Sequence, residues 1–219
     1  MFNKKFFYGR LKSRGLSKSK KFYYDNYKNN YLLDFEKINS IKNKNFILEI
    51  GFGLGENLIF QSEKYNEDIF IGVDPFINGI ANVIYEAKLK NLNNIYLVNS
   101  PIQSILDKFK NNFFSKIFIL FPDPWMKKKH NKRRLINNLF LKEILKKMKI
   151  QSSLIFVTDD KNYFENVINL IIELKVEKSS FHYSLDNRYE IKDTKYFNKA
   201  SNLKKEIYFL NLDKLKNVT

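Results

Sequence analysis

Five short apolar runs, each followed by a helical or glycine-rich stretch, constrain this chain more than any other feature. They are Phe46–Ile50, Ile69–Val73, Ile95–Val98, Lys116–Phe121 and Ser153–Thr158. Each is four to six residues long, rich in β-branched or aromatic side chains, and without the strict polar alternation of a half-wet strand. Such runs read as strands buried on both faces. Between them lie helix-period patterns. Ile80, Val83, Ile84 and Ala87 recur at i, i+3, i+4 and i+7, and Phe164, Val167, Ile168, Ile171 and Ile172 repeat the spacing. Ile136, Leu139, Phe140 and Ile144 mark a further helix. Strand and helix in alternation predict an α/β fold, a mostly parallel sheet with helices on both faces. Phe181–Ser184 and Glu206–Leu212 read as a final, antiparallel pair, making seven strands. No internal repeat or second domain is visible, so residues 45–219 are expected to form one domain, preceded by a basic arm over residues 1–44 that is flexible or folds on its partner.

The first strand ends in Glu49-Ile-Gly51-Phe-Gly53-Leu-Gly55-Glu56. Three glycines between a strand and a helix permit a tight turn and close backbone approach to a ligand. The dinucleotide fingerprint would place a glycine at position 56, but a glutamate stands there and would repel a pyrophosphate. Glu49 before the loop and Glu56 after it suit a ligand with positive groups and no phosphate, as in S-adenosylmethionine. Asp74 closes the second strand, where an adenosine ribose would present its hydroxyls. A helix cap and a packing turn are the plainer reading of the same residues. In open sheets ligands sit beyond the carboxyl ends of the strands. Glu49, Asp74, Asn99, Asp123 and Asp159 close the five successive strands, and are therefore expected to converge on one crevice.

Charge adds a second constraint. The formal net charge is +16, of which residues 1–45 supply +9 and residues 127–134 supply +6. A generally basic protein would spread this charge. Its concentration on an arm and one loop is the footprint of a polyanion, and nucleic acid is the expected partner. A solvated lysine-rich surface is the alternative. There is no cysteine and there are only two histidines, His130 and His182, so no zinc or iron centre is expected. No apolar run is long enough for a membrane span, and no signal-peptide core is visible. A soluble cytoplasmic protein, monomer or homodimer, is the expectation.

The basic loop follows directly on Phe121-Pro-Asp-Pro-Trp125, with Lys127 and then Lys129-His-Asn-Lys-Arg-Arg134. The glycine loop with Asp74 resembles class I S-adenosylmethionine-dependent methyltransferases. The Pro-Asp-Pro-Trp segment with its basic loop resembles the tRNA (guanine-N(7)-)-methyltransferase family. Thr158-Asp159, Thr194-Lys-Tyr-Phe-Asn-Lys-Ala200 and Gly9-Arg10 with Arg14 are similar to further segments of that family, so the resemblance spans essentially the whole chain. It implies a Rossmann-like fold and direct in-line methyl transfer to guanine N7 in the tRNA variable loop. It further implies that Glu49, Gly51, Gly53, Gly55, Asp74, Asn99 and Asp123 hold the cofactor, with Asp123 also the acidic residue of the catalytic site. Lys127, Asp159, Thr194, Lys195 and Tyr196 would meet the substrate. Lys129, His130, Asn131, Lys132, Arg133 and Arg134 would meet the tRNA backbone. Trp125 either stacks on a base or packs under the loop, and packing is the commoner role for a tryptophan. Phe197 stands where the family usually has a glutamate, which removes a polar contact. Other amino- or base-methyltransferases of protein or nucleic acid, and a non-catalytic RNA-binding relative, share parts of this pattern.

Overall fold

The computed structural model describes residues 15–174, 181–185 and 191–214. The glycine-ended run at Phe46–Ile50 forms β1, and the later apolar runs form β2 (Ile69–Val73), β3 (Ile95–Val98), β4 (Phe114–Leu120) and β5 (Met148–Thr158). All pair in parallel, and β7 (Tyr208–Lys214) lies antiparallel between β5 and β6 (Phe181–Ser184). The sheet order is β3-β2-β1-β4-β5-β7-β6. The expected seven strands, including the antiparallel final pair, are all present. His182 lies within β6.

Alternate residues of the central strands feed two cores, one on each face, because successive side chains in a strand point to opposite sides. Leu48, Ile71, Ile117 and Phe156 pack on one face with Phe140 and Ile144 of α5 (Asn138–Lys147) and Tyr163, Val167 and Ile171 of α6 (Lys161–Glu173). Ile47, Phe70, Phe118 and Ile155 pack on the other with Leu58 of α3 (Glu56–Lys64) and Ile80, Val83, Ile84 and Ala87 of α4 (Ile77–Leu89). Two residues of the helical patterns, Leu139 and Ile172, instead face solvent at 50% and 53% exposure. Leu139 lies on the face of α5 opposite the buried Phe140, Leu141, Ile144 and Leu145, and Ile172 lies outside the stripe of Tyr163, Phe164, Val167 and Ile171.

Residues 15–44 of the expected arm contain α1 (Lys18–Tyr31) and α2 (Phe35–Ser40); residues 1–14 lie outside the described residues. Ser17 caps α1 and Asp34 caps α2 through their side-chain oxygens. The helix α1 docks by a tyrosine stripe at i, i+4 and i+8. Tyr23 meets Tyr85 edge-on at 5.1 Å, Tyr27 lies under the Lys88 ammonium at 4.8 Å, and the buried Tyr31 donates its hydroxyl to the Leu92 carbonyl at 3.1 Å.

Between β1 and β4 the chain order reverses, since β2 and β3 lie on one side and β4 and β5 on the other. Loops leaving β1 and β4 diverge there and open a crevice at the carboxyl ends of the strands.

Candidate active site

The crevice has a volume of about 580 Å³. Its walls include Glu49, Gly51, Gly53, Asp74, Asp123, Trp125 and Arg133, together with Thr194, Lys195 and Tyr196 from the start of α7 (Lys195–Asn202). The polar residues of three strand ends, Glu49, Asp74 and Asp123, therefore converge, where five were expected. Asn99 is not on the crevice wall; its amide donates to the Asp74 carbonyl at 3.2 Å and steadies that strand end. Asp159 is drawn off by Lys205, whose ammonium it binds at 2.6 Å. Lys127 is exposed and also stands off the wall.

The glycine loop is shaped by backbone requirements. Gly51, Gly53 and Gly55 all have positive φ. Nothing lies within 4 Å of a Cβ built at Gly51 or Gly53, so that side of the loop is open to a ligand. Gly55 serves differently from the expectation: its Cβ would lie 2.1 Å from the Val83 side chain, so it permits the loop to pack on α4 and does not line the crevice. Asp74 fixes the loop from the other side. One of its oxygens accepts the Gly53 amide and the other the Phe76 amide, both at 2.8 Å. Its carboxyl is nevertheless pushed up to about 6, chiefly by burial and further by the charge of Asp123.

Glu49 is 3% exposed and accepts one hydrogen bond from the Asn57 amide at 3.0 Å. Burial first, then the neighbouring Asp74 and Glu56 charges, push its carboxyl up to about 8 against the pull of Asn57. In the fold it holds a proton that the unfolded chain has already released, over the whole interval from 4.5 to about 8. Its contribution to stability is therefore complete at low pH and is lost as pH rises through about 8. We expect the melting temperature of the ligand-free protein to fall between pH 5 and pH 8, and to fall less steeply in Glu49→Gln, as followed by circular dichroism. Identical slopes would remove Glu49 as the source.

Glu56 and Asn57, the first residues of α3, were not read from the sequence as a hub. Glu56 accepts the Lys195 backbone amide at 2.7 Å, and Asn57 accepts that of Lys192 at 3.1 Å. The two together tie the glycine loop to the chain entering α7, across more than 130 residues. The signal was a buried glutamate at strand one in need of a donor, but nothing in the local spacing pointed to residue 192 or 195. Thr194 caps α7 by accepting the Phe197 amide at 3.2 Å. Phe197 turns away from the polar role, packing near Phe121 and Phe209 at ring separations of 6.4 and 6.5 Å.

The Pro-Asp-Pro-Trp turn is bracketed by strain. Phe121 and Trp125 hold φ of 48° and 47°, a left-handed backbone that costs a non-glycine residue about 1–3 kcal/mol. It persists because both ends are tied. The Phe121 amide donates to the Val157 carbonyl at 2.8 Å, and the Pro124 carbonyl accepts Nε of Arg134 at 2.8 Å. Asp123 thereby stands at the crevice mouth, exposed. Trp125 is half-buried, with one face on the crevice wall; the Arg133 guanidinium stacks over its ring at 4.9 Å and His130 meets it edge-on at 5.8 Å. It thus packs beneath the basic loop, the expected role, while also lining the crevice.

Residues 128–133 of the basic loop form 3₁₀ turns with Lys128, Lys129 and Lys132 exposed. Burial against the loop, then Arg133 and the neighbouring lysines, hold the His130 imidazole below its usual range, so it adds little positive charge at neutral pH. Arg134 corrects the sequence expectation. It is 3% exposed, donates to Pro124 and to Asn162 Oδ1 (2.8 Å each), and stacks over Tyr163 at 4.7 Å. Its guanidinium faces inward and cannot reach an RNA phosphate. Among the described residues no group of three or more His, Cys, Asp or Glu could hold a metal ion, and no helix is long and apolar enough to cross a membrane.

The seven-stranded fold matches solved methyltransferases. An antibiotic-related methyltransferase aligns with a TM-score of 0.57 at 19% identity, over 82% of this chain and 93% of that one. The 16S rRNA (adenine(1408)-N(1))-methyltransferase from Catenulisporales acidiphilia aligns at 0.58 and 14%, over 84% and 94%. The fold is that of the Rossmann-like methyltransferases. In sequence, a family model described as "Putative methyltransferase" matches residues 43–210. A tRNA (guanine-N(7)-)-methyltransferase from Wolbachia pipientis wMel is 32% identical over 84% of this chain and 82% of its own length. The chain belongs to the tRNA (guanine-N(7)-)-methyltransferase family. A "Bifunctional methyltransferase" from Rickettsia prowazekii is 37% identical over 94% of this chain, which spans only 40% of that relative.

Proposed function

We propose that this protein transfers a methyl group from S-adenosylmethionine to guanine N7 in tRNA. The carrying observation is the crevice itself: buried carboxyls on an open glycine loop, beside an exposed aspartate and a basic rim. The donor set fits a cationic cofactor. Burial favours the protonated form of Glu49 in the protein alone, and a positive group beside it would favour its charged form and gain an ion pair in a low-dielectric site. Asp74 accepts from two loop amides and leaves room for hydroxyl donors. Glu49, Gly51, Gly53 and Asp74 are thus the cofactor contacts we assign, with Gly55 shaping the loop and Asn99 steadying Asp74.

When bound, the cofactor supplies an electrophilic methyl. Guanine N7 has a free lone pair, so the chain need supply no general base; alignment of the two reactants is the larger part of its work. Asp123 faces the charge that grows on the base. Trp125 and Tyr196, on the same crevice wall, offer aromatic faces to a base taken out of its stack. Thr194 and Lys195 complete the substrate side. Lys127, Lys129, His130, Asn131, Lys132 and Arg133 form the rim facing the tRNA backbone, which sets register and not base identity. Residues 45–219 act as the catalytic domain and residues 1–44 as its basic extension. A tRNA substrate implies a cytoplasmic site of action.

Incubation with bulk tRNA and S-adenosylmethionine, followed by nucleoside analysis, should yield 7-methylguanosine. Label appearing instead in DNA or ribosomal protein would favour an amino-methyltransferase. Failure to bind the cofactor at near-millimolar concentration would favour a non-catalytic RNA-binding relative.

A further inference from the structure

A second depression, also of about 580 Å³, lies on the outer face of α7 and is lined by Glu56, Lys195, Asn198, Lys199, Asn202 and Leu203. It shares Glu56 and Lys195 with the crevice, so the two adjoin at that pair. The four α7 residues fall at i, i+3, i+4 and i+7, which puts them on one helical face, and all four are exposed. The opposite face carries the buried Ala200 and half-buried Phe197. The helix itself carries no acid, and among the described residues neither the Lys195 nor the Lys199 ammonium has an acidic partner in an ion pair. Lys192 and Lys204 extend the exposed charge at either end. The one acid on the wall, Glu56, already accepts the Lys195 amide, which fixes the groove's position against the crevice.

We propose that this groove holds the RNA nucleotide next to the target guanosine. Two ammonium groups one helical turn apart meet its phosphate, the Asn198 and Asn202 amides meet its sugar or base edge, and the exposed Leu203 side chain gives the base an apolar floor. A nucleotide neighbouring a base held in the crevice is one phosphate away from it, and the groove begins at the crevice wall. The inference rests on the tRNA reading above, but its binding arm can be read without methyl transfer.

The test compares the full chain with the Lys199→Ala/Asn202→Ala double variant and with Lys199→Glu, all altered at exposed positions outside the crevice. Expected for the double variant is a roughly tenfold rise in the dissociation constant for tRNA, and a salt slope shallower by about one. The KM for tRNA rises with it, kcat is nearly unchanged, and cofactor affinity is unaltered. Lys199→Glu loses more. Variants that match the wild type in affinity and salt slope, on a wild type that methylates tRNA, would overturn the groove alone. A wild type that makes no 7-methylguanosine would overturn the reaction proposed above. Weakened binding of a single-stranded oligonucleotide by the variants would then still support the groove, and equal binding would overturn it.

Discussion

Arg134→Ala is expected to lower the melting temperature while leaving the salt slope of tRNA binding unchanged. The side chain is buried, and its two hydrogen bonds join the Pro124 carbonyl to Asn162 on α6. Hydrogen bonds from a charged group contribute about 1.5–3 kcal/mol each, so their loss costs about 3 kcal/mol or more. For a chain of this size that is a fall of roughly 6–12 °C in Tm. Arg134→Lys retains the charge but not the planar fork or the stack on Tyr163, and should recover only part of the loss. Arg133→Ala gives the opposite pattern. Its guanidinium lies over Trp125 beside the crevice, and its removal should leave Tm nearly unchanged while reducing the salt slope by about one. A shallower slope in Arg134→Ala, with Tm intact, would return that residue to the RNA surface.

These adjacent arginines show where the chain's own text stops being sufficient. Lys129 to Arg134 read as one basic run, and charge count cannot distinguish a side chain that faces solvent from one that folds inward. What separates them is Tyr163 and Asn162, some thirty residues later, which offer a ring and an acceptor on the inner side only. The fold was more legible, because each buried strand had to be apolar throughout and each covering helix had to carry its own stripe. The stripe of α1 was harder to see, since tyrosines at positions 23, 27 and 31 carry it and tyrosine is common throughout this chain. Glu49, Asp74 and Asp123 were legible as strand-end acids, whereas Asn99 and Asp159 sat at equivalent positions and were taken up by Asp74 and Lys205. Lys195 was read as a substrate contact, but its pairing with Lys199 on the outer face of α7 escaped notice for a third reason. Averaged over the body, their charge is cancelled by acids on distant surfaces, and only folding places four polar side chains around one groove.

Asp123→Ala should reduce methyl transfer by about 10²–10³-fold, the scale for removing one group that stabilises transition-state charge. Asp123 is exposed, and the turn that aims it is held by the Phe121 amide and by the Pro124 carbonyl, which accepts the Arg134 side chain. The variant should therefore keep its Tm. Asp123→Asn sharpens the assignment, because it preserves size and a hydrogen-bond acceptor but removes the charge. If the carboxylate acts on the cationic product base, Asp123→Asn loses kcat almost as fully as Asp123→Ala, with cofactor affinity little altered. If it acts mainly by holding cofactor, affinity falls in both variants and kcat at saturation recovers. A third readout is independent of turnover. The Asp123 charge helps to raise the Asp74 carboxyl to about 6, so its removal should shift the Asp74 titration downward in a carboxyl-resolved NMR experiment. Near-normal turnover in Asp123→Ala, with the Asp74 titration displaced as expected, would place the aspartate beside the crevice without a part in the chemistry.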